Sequence, residues 1–340
     1  MTTRLPIEIV GGGVAGLSLG LALLRSGIPV TLYEAGHYPR HRVCGEFISG
    51  LDPDTTRILA IEEFIADAWP HRSAAYHLRN ERLPTFTLPT LAWGISRHTF
   101  DARLAAAFLA AGGNLSVETR LAGEETPPGR VFATGRSRSG PFWVGLKVHL
   151  FDYPLAADLE IHLGQGAYLG LSRTETGRIN LCGIFSPQAV RARGLALITE
   201  YLRGAGLQAL AKRVEAARFD PESLCRAAAP LGSRRCANSD RVQIGDACAT
   251  IPPFTGNGLA MALQGAALAL PVLRAYALRE ITWPETRRAI GQAQRKQFRR
   301  RLALARCLHP FFIKPRPQAV LAALVRRRLL PFNLLYAALR

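Results

Sequence analysis

Three features of the sequence predict an α/β fold. A glycine run joins a short apolar strand to an apolar helix near the start, several short strands with Gly-rich turns fill the middle, and a cationic, proline-punctuated helical segment follows. The expected organisation is a Rossmann-like nucleotide-binding domain interleaved with an antiparallel β-sheet domain, with helices after it.

The first element is the strand Ile7 to Val10, which runs into Gly11-Gly12-Gly13-Val14-Ala15-Gly16. A helical pattern follows at Leu17, Leu19, Leu21, Leu23 and Leu24, and Gly27 ends it. Pro29 to Tyr33 reads as a second strand, with Glu34 at its end, 18 residues after Gly16. In such a unit Gly11 permits the tight turn, Gly13 lets the backbone approach a pyrophosphate, and Gly16 allows close helix–strand packing. The helix N-terminus, worth about half a positive charge, faces the phosphates. Glu34 is expected to accept hydrogen bonds from an adenosine ribose, and an acid here favours FAD or NAD over NADP. Val14, Ala15 and Ala35 complete the chain expected at the cofactor.

The next segments choose between the dinucleotides. An NAD dehydrogenase would continue strand–helix–strand after Glu34, but this chain gives Pro39-Arg40-His41-Arg42-Val43-Cys44-Gly45-Glu46-Phe47-Ile48-Ser49. Far downstream come Arg241 to Cys248, containing Gly245-Asp246, and then Pro252-Pro253-Phe254-Thr255-Gly256-Asn257-Gly258 before an apolar helix from Leu259 to Leu270. Asp246 at a strand end can meet a ribityl hydroxyl. The turn at Gly256, Asn257 and Gly258 can aim backbone N–H groups at a flavin pyrimidine edge.

In these segments the chain resembles the flavoproteins that include geranylgeranyl reductases and the related single-component aromatic hydroxylases. The resemblance is carried by GGGVAG, RVCGE, Ile95 to Asp101 with Leu104, and IGDACATIPPFTGNG, in that order, with Val131 to Gly135 as the returning strand. It implies FAD, contacted by Gly11, Gly13, Gly16, Glu34, Arg42, Arg97, Asp246 and Gly256, with Arg97 supplying a charge-assisted bond. It also implies a discontinuous FAD-binding domain (1–74, 94–140 and 236–285), a substrate domain (75–93 and 141–235) and a basic helical segment (286–340). The β-meander usual before the returning strand is trimmed to Leu115 to Arg130, which puts adenine contacts from that region in doubt.

The candidate catalytic residues are Cys44 and Glu46. A cysteine in this motif lies close to the flavin in the geranylgeranyl reductases, so Cys44 is either a proton donor or a small residue fixing the loop. Arg40, His41 and Arg42 beside it are expected to lower its pKa. Glu46 is either a second acid/base or a structural hydrogen-bond partner. Lys147 and His149 bind an anionic substrate group or are solvated at a strand edge, and no lone histidine has a visible catalytic partner.

Strands are expected at Ala75 to Leu88, Phe142 to Leu150, Ala157 to Leu163, Ala167 to Ser172 and Arg178 to Phe185. Phe86, Trp93, Phe142, Trp143, Tyr168 and Phe185 would line an apolar pocket, or serve as simple core.

Composition bounds the rest. At about 150 residues per domain, 340 residues suggest two domains or one large one. The net charge is +18, but 286–340 holds 14 Lys and Arg and no Asp or Glu, so no nucleic-acid partner is read from it. Instead, apolar faces flanked by Arg326, Arg327 and Arg328 suit an anionic membrane surface, or a helical cap over the substrate domain. No uninterrupted apolar stretch reaches the ~18 residues that a span requires, and no repeat of about 20–50 residues is visible. Cys44, Cys182, Cys225, Cys236, Cys248 and Cys307 form no metal-ligand spacing, no metal is expected, and reduced thiols in a cytoplasm are the default. The start of the chain shows no signal-peptide pattern.

The expected activity is FAD-dependent reduction of carbon–carbon double bonds in a hydrophobic, isoprenoid- or polyketide-like substrate, with NAD(P)H as transient electron donor. The alternative is a monooxygenase that hydroxylates an aromatic or polyketide substrate through a C4a-hydroperoxide. The halogenase segment WxWxIP is not present. A non-enzymatic scaffold is a third reading.

Overall fold

The structure, a computed structural model, describes residues 4–79, 81–121, 125–136, 142–230 and 240–340. Cys236, the side chain of Phe142 and the domain boundaries expected at 140–141 and 235–236 lie outside the described residues.

Two sheets carry the chain. The first is fully parallel, with β1 (Ile7–Val10), β2 (Val30–Tyr33), β6 (Asn114–Ser116), β7 (Arg130–Phe132) and β13 (Val242–Gln243) in the order β13-β7-β1-β2-β6. The second holds β3 (Phe47–Ile48), β4 (Trp69–Leu78), β5 (Glu81–Gly94), β8 (Phe142–Leu150), β9 (Leu159–Gly164), β10 (Ala167–Arg173), β11 (Ile179–Phe185) and β12 (Phe219–Pro230). Its order is β12-β8-β11-β10-β9-β4-β5-β3, antiparallel throughout except for β4 beside β9. The helices are α1 (Val14–Arg25), α2 (Pro53–Leu59), α3 (Arg97–Ala110), α4 (Gly194–Gly204), α5 (Gln208–Glu215), α6 (Gly258–Ala277), α7 (Trp283–Leu308), α8 (Pro310–Ile313), α9 (Pro315–Arg326) and α10 (Phe332–Ala338). The α/β class, with a Rossmann-like sheet, a second sheet and C-terminal helices, is as the sequence predicts.

Helix α1 is apolar on every side because it is enclosed on every side: Val14 to Leu23 are all buried, against the parallel sheet, α3 and α6. Gly20 leaves room for Phe108 of α3, since a Cβ there would lie 2.7 Å from the phenyl ring. Helix α6 runs through Pro271 to Ala277, further than its sequence suggests. Leu270, Leu273, Tyr276 and Ala277 are buried on both flanks of the proline, and that packing outweighs one missing N–H. By length and composition α6 could cross a membrane, yet it lies mostly buried inside this domain.

The strand expected at Ala75 to Leu88 is instead a hairpin, β4–β5, that begins at Trp69. The six aromatics do not line one pocket. Phe185 faces α4, 5.4 Å from the ring of Tyr201, while Trp93 packs on the core of the parallel-sheet domain. Phe86, Trp143 and Tyr168 face the other side, where Phe312 of α8 and Leu321 and Val325 of α9 cover them. Strand alternation explains the split, because odd and even positions point to opposite faces. The apolar face of α9 is thus turned onto the second sheet, while Val320, Leu329 and Leu334 remain exposed.

Phe108→Ala is expected to cost about 3–5 kcal/mol, because the vacated space adjoins Gly20 and Gly113, which cannot fill it. Leu109→Ala, at a neighbouring site 53% exposed, is expected to cost less than about 0.5 kcal/mol. Urea denaturation of the two variants checks the contrast.

Candidate active site

The glycine turn is built as the spacing demands. Gly11 has φ +112°, and a Cβ there would lie 2.3 Å from the Ala133 carbonyl oxygen. A Cβ on Gly16 would lie 2.1 Å from the Gly11 oxygen. Gly13 is different: the nearest contact of a Cβ there would be Arg97 Nη2 at 3.6 Å, an ordinary van der Waals distance, so a side chain and not backbone stands over it. Gly13 also caps α1 without any side-chain hydrogen bond, which leaves the first-turn N–H groups of a buried helix available.

Glu34 sits under this turn. It accepts hydrogen bonds from Gly12 N at 2.8 Å, Gly36 N at 2.9 Å and Arg40 Nη2 at 2.6 Å. Burial pushes its pKa up, but Arg42, Arg40 and the two backbone donors outweigh that and hold the carboxyl below its usual range. Three bonds leave one of its about four acceptor positions free. Ala35 beside it is exposed.

The arginines form a second tier. Arg97 grips Asp101 in a two-bond fork at 2.7 and 2.6 Å. Arg42 lies between Glu34 and Asp101, 3.5 and 3.3 Å from their oxygens. Its Nε and Nη2 are nevertheless buried without a hydrogen-bond partner. These two nitrogens face the carboxylates, so it is the charge of Arg42, beside the free N–H groups at the start of α1, that fits a pyrophosphate.

The distant loop arrives at the same place. Ile244 N donates to the Phe132 oxygen at 2.9 Å, which extends the parallel sheet, and Gly245 packs against Ala15. Asp246 is paired with Arg136 at 2.9 Å. Gly256 adopts φ +67° over the Phe47 ring, and a Cβ on Gly45 or Gly258 would meet nothing within 4 Å. Asn257 donates from Nδ2 to the Leu339 oxygen, while its buried Oδ1 has no partner. The Arg42 to Phe47 loop therefore lies between the glycine turn and the Gly256 turn, bordered by open space. This donor set fits a dinucleotide such as FAD.

Behind that loop is a charge cluster that sequence reasoning missed. Glu46 is fully buried. Its Oε1 accepts from Arg97 N at 2.9 Å and lies 3.2 Å from Lys147 Nζ, while Oε2 accepts from His149 Nε2 at 2.6 Å. Lys147 Nζ also donates to His41 Nδ1 at 2.9 Å, and the His41 ring stacks on His98 at 4.5 Å. Burial raises the Glu46 pKa, but the His149 bond and the Lys147 charge outweigh it and hold the carboxyl low. Every oxygen of Glu46 is engaged, the arrangement of a structural hydrogen-bond partner. Lys147 and His149 are not at a strand edge: β8 is flanked by β11 and β12, and both side chains are buried. The readable signal was two ionisable residues on one face of an apolar strand, which demands a buried partner.

Cys44 also departs from expectation. Burial pushes its thiol above the ordinary range, and the nearby Arg97 only partly opposes this. Arg40 and Arg42 turn instead to Glu34 and Asp101. The thiol Sγ accepts from Glu46 N at 3.4 Å, and Asn180 Nδ2 donates to the Cys44 oxygen at 3.0 Å.

No protein-family model matches the chain, and no curated protein does. Solved structures do. A geranylgeranyl bacteriochlorophyll reductase-like protein from Thermoplasma acidophilum is 16% identical, with 98% of this chain and 95% of that chain covered and a TM-score of 0.74. HpxO of Klebsiella pneumoniae, solved with FAD, is 17% identical over 98% of this chain and 99% of that chain, with a TM-score of 0.73. The flavin-dependent brominase Bmp2 is 16% identical over 98% and 92%, with a TM-score of 0.70. The chain therefore has the fold of these flavoproteins, as the resemblance in its sequence implies.

Lys147→Met leaves Glu46 buried without its main cation and is expected to cost about 3–5 kcal/mol; adding Glu46→Gln should restore part of the loss, so that a urea-denaturation cycle is strongly non-additive. The pH profile has a defined sign. Burial and the Lys147 charge hold His41 down to about 4, whereas in the unfolded chain it takes up its proton near the ordinary histidine value of 6.5. Stability present above 6.5 should fall as pH drops toward 4, and His41→Asn should flatten that part of the profile.

Proposed function

We propose that the protein is an FAD-dependent oxidoreductase that reduces carbon–carbon double bonds of a hydrophobic substrate, with NAD(P)H or another donor supplying electrons. One observation carries this reading. The uncapped start of α1 at Gly13, the charges of Arg42 and Arg97, and the turn at Gly256 to Gly258 converge on one loop, Arg42 to Phe47, that presents Cys44.

By this reading Gly11, Gly13, Val14, Ala15 and Gly16 hold the pyrophosphate with Arg42. Glu34 takes a ribose hydroxyl, Asp246 a ribityl hydroxyl, and Gly256, Asn257 and Gly258 the flavin ring. Bound FAD supplies the two-electron chemistry. Reduction adds a hydride to one alkene carbon and a proton to the other. A thiol held protonated by burial is a competent proton source, and the Arg97 guanidinium beside Cys44 stabilises the thiolate left behind. Glu46 holds the loop so that the thiol stays in place. A monooxygenase, the second reading, would use the same cradle and differs in requiring oxygen.

Gly13→Ala tests the cradle. The backbone there, φ −83° and ψ −177°, accepts alanine and the Cβ has room, so the variant should fold normally. Its methyl group enters the proposed phosphate space, so FAD affinity should fall by at least about tenfold, or about 1.4 kcal/mol. Retention of full affinity, or colourless wild-type protein after FAD addition, would refute FAD binding at this cradle. Anaerobic turnover of a polyisoprenoid alkene with dithionite as reductant separates the reactions: saturation of the alkene is expected. Strict dependence on oxygen, with oxygen incorporated into product, identifies the monooxygenase.

A further inference from the structure

Among the described residues, two clusters of histidine and acidic side chains bring their donor atoms within 4.8 Å of one another. The first, His41, Glu46 and His149, already holds a cation, because Lys147 Nζ is inserted 3.2 Å from Glu46. The second, His77, Glu160 and His162, is not filled in this way.

Register creates the second cluster. His77 on β4 is the direct partner of His162 on β9, in the one parallel pairing within the described part of the second sheet. Glu160 precedes His162 by two residues and therefore shares its face. His162 Nε2 lies 2.9 Å from Glu160 Oε2, and His77 Nε2 lies 3.9 Å from the same oxygen. The two rings stack at 4.2 Å and 11°. All three side chains are buried, with exposures of 9% for His77, 0% for Glu160 and 3% for His162. His77 Nε2 is buried, directed at this oxygen, and has no hydrogen-bond partner. The other oxygen of Glu160 is fixed by Ala156 N at 2.6 Å, which is how ligand carboxylates are commonly oriented.

The charged neighbours are arginines, and they stand back. Arg213 of α5 comes no closer than 4.0 Å to Glu160 Oε2; its guanidinium stacks on Tyr153 and donates to the Pro154 oxygen at 3.0 Å. Arg82 contributes a more remote positive charge. Burial and the neighbouring positive charges hold His77 down to about 4. Burial also keeps His162 low, and Glu160 stays ionised, at about 2, because the His162 bond outweighs its burial.

We propose that His77, Glu160 and His162 form a binding site for a divalent transition-metal ion, zinc by its donor set, which clamps β4 to β9. Two imidazoles and one carboxylate suit zinc and disfavour magnesium or calcium. The site is separate from the FAD cradle and independent of the reaction assigned to it.

The test uses metal-stripped full-length protein and Zn2+ alone, in competition with a chromophoric chelator. One equivalent per chain is expected to bind and to raise the thermal midpoint, and Co2+ should give the intense visible bands of a tetrahedral site. His77→Ala, and separately Glu160→Gln, should weaken Zn2+ binding by at least about tenfold without lowering FAD content. Failure of the wild-type protein to bind one equivalent overturns the proposal, whether or not the variants fold. Equal affinity in wild type and a folded His77→Ala protein also overturns it, because the metal is then held elsewhere.

Discussion

The site depends on one buried carboxylate. Glu46 is the point at which the Arg42 to Phe47 loop, the start of α3 and strand β8 are tied together. Removing a carboxylate from water costs several kcal/mol, so its burial is tolerable only with every oxygen satisfied. Here two side chains from β8 and one backbone N–H do so, and the residue itself adopts φ 51° to reach them. Ile95 N donates back to the Glu46 oxygen at 3.1 Å, which fixes the chain just before Arg97. One carboxylate therefore sets both the position of the Cys44 thiol and the point at which Arg97 enters the site.

The cationic tier above it works by deliberate incompleteness. Asp101 and Glu34 hold Arg97, Arg40 and Arg42 in position, but Arg42 meets them only at 3.3 and 3.5 Å, with no full hydrogen bond from its Nε or Nη2. A fully paired cluster would have no affinity left for an anion, and an unpaired one would lose its geometry to repulsion among three guanidinium groups. Two acids for three arginines leave a net positive cradle facing the N-terminus of α1. The glycine turn and the arginines thus present one positively charged surface.

Much of this was legible in the sequence where the chemistry is local. The turn at Gly11 to Gly16 and the acid at Glu34 are dictated within a single strand–helix–strand unit, and the Gly245-Asp246 turn within a single strand end. The long-range parts were not legible for a physical reason. Glu46 and Lys147 are about a hundred residues apart, and nothing in Lys147-x-His149 says whether β8 is central or an edge until its neighbours are known. The charge environment of Cys44 misled in the same way, since residues adjacent in sequence point their guanidinium groups elsewhere. The aromatics were legible as apolar, but not by face: Phe185 and Tyr168 differ in strand parity and so in which layer they serve.

The C-terminal helices bind the two sheets into one site. Leu321 and Val325 cover the second sheet, while α10 runs on to the Gly256 turn. There Tyr336 Oη lies 3.0 Å from Ser49 Oγ, the Arg340 guanidinium donates to the same Ser49 oxygen, and the Leu339 carbonyl takes the Asn257 amide. These contacts fix the amide of Asn257 through its Nδ2, and the first-turn N–H groups of that 20-residue helix are uncapped by any side chain. A basic segment that composition alone marks as a surface feature thus acts on the interior, by leaving a helix dipole directed at the space beside Gly45 and Gly258.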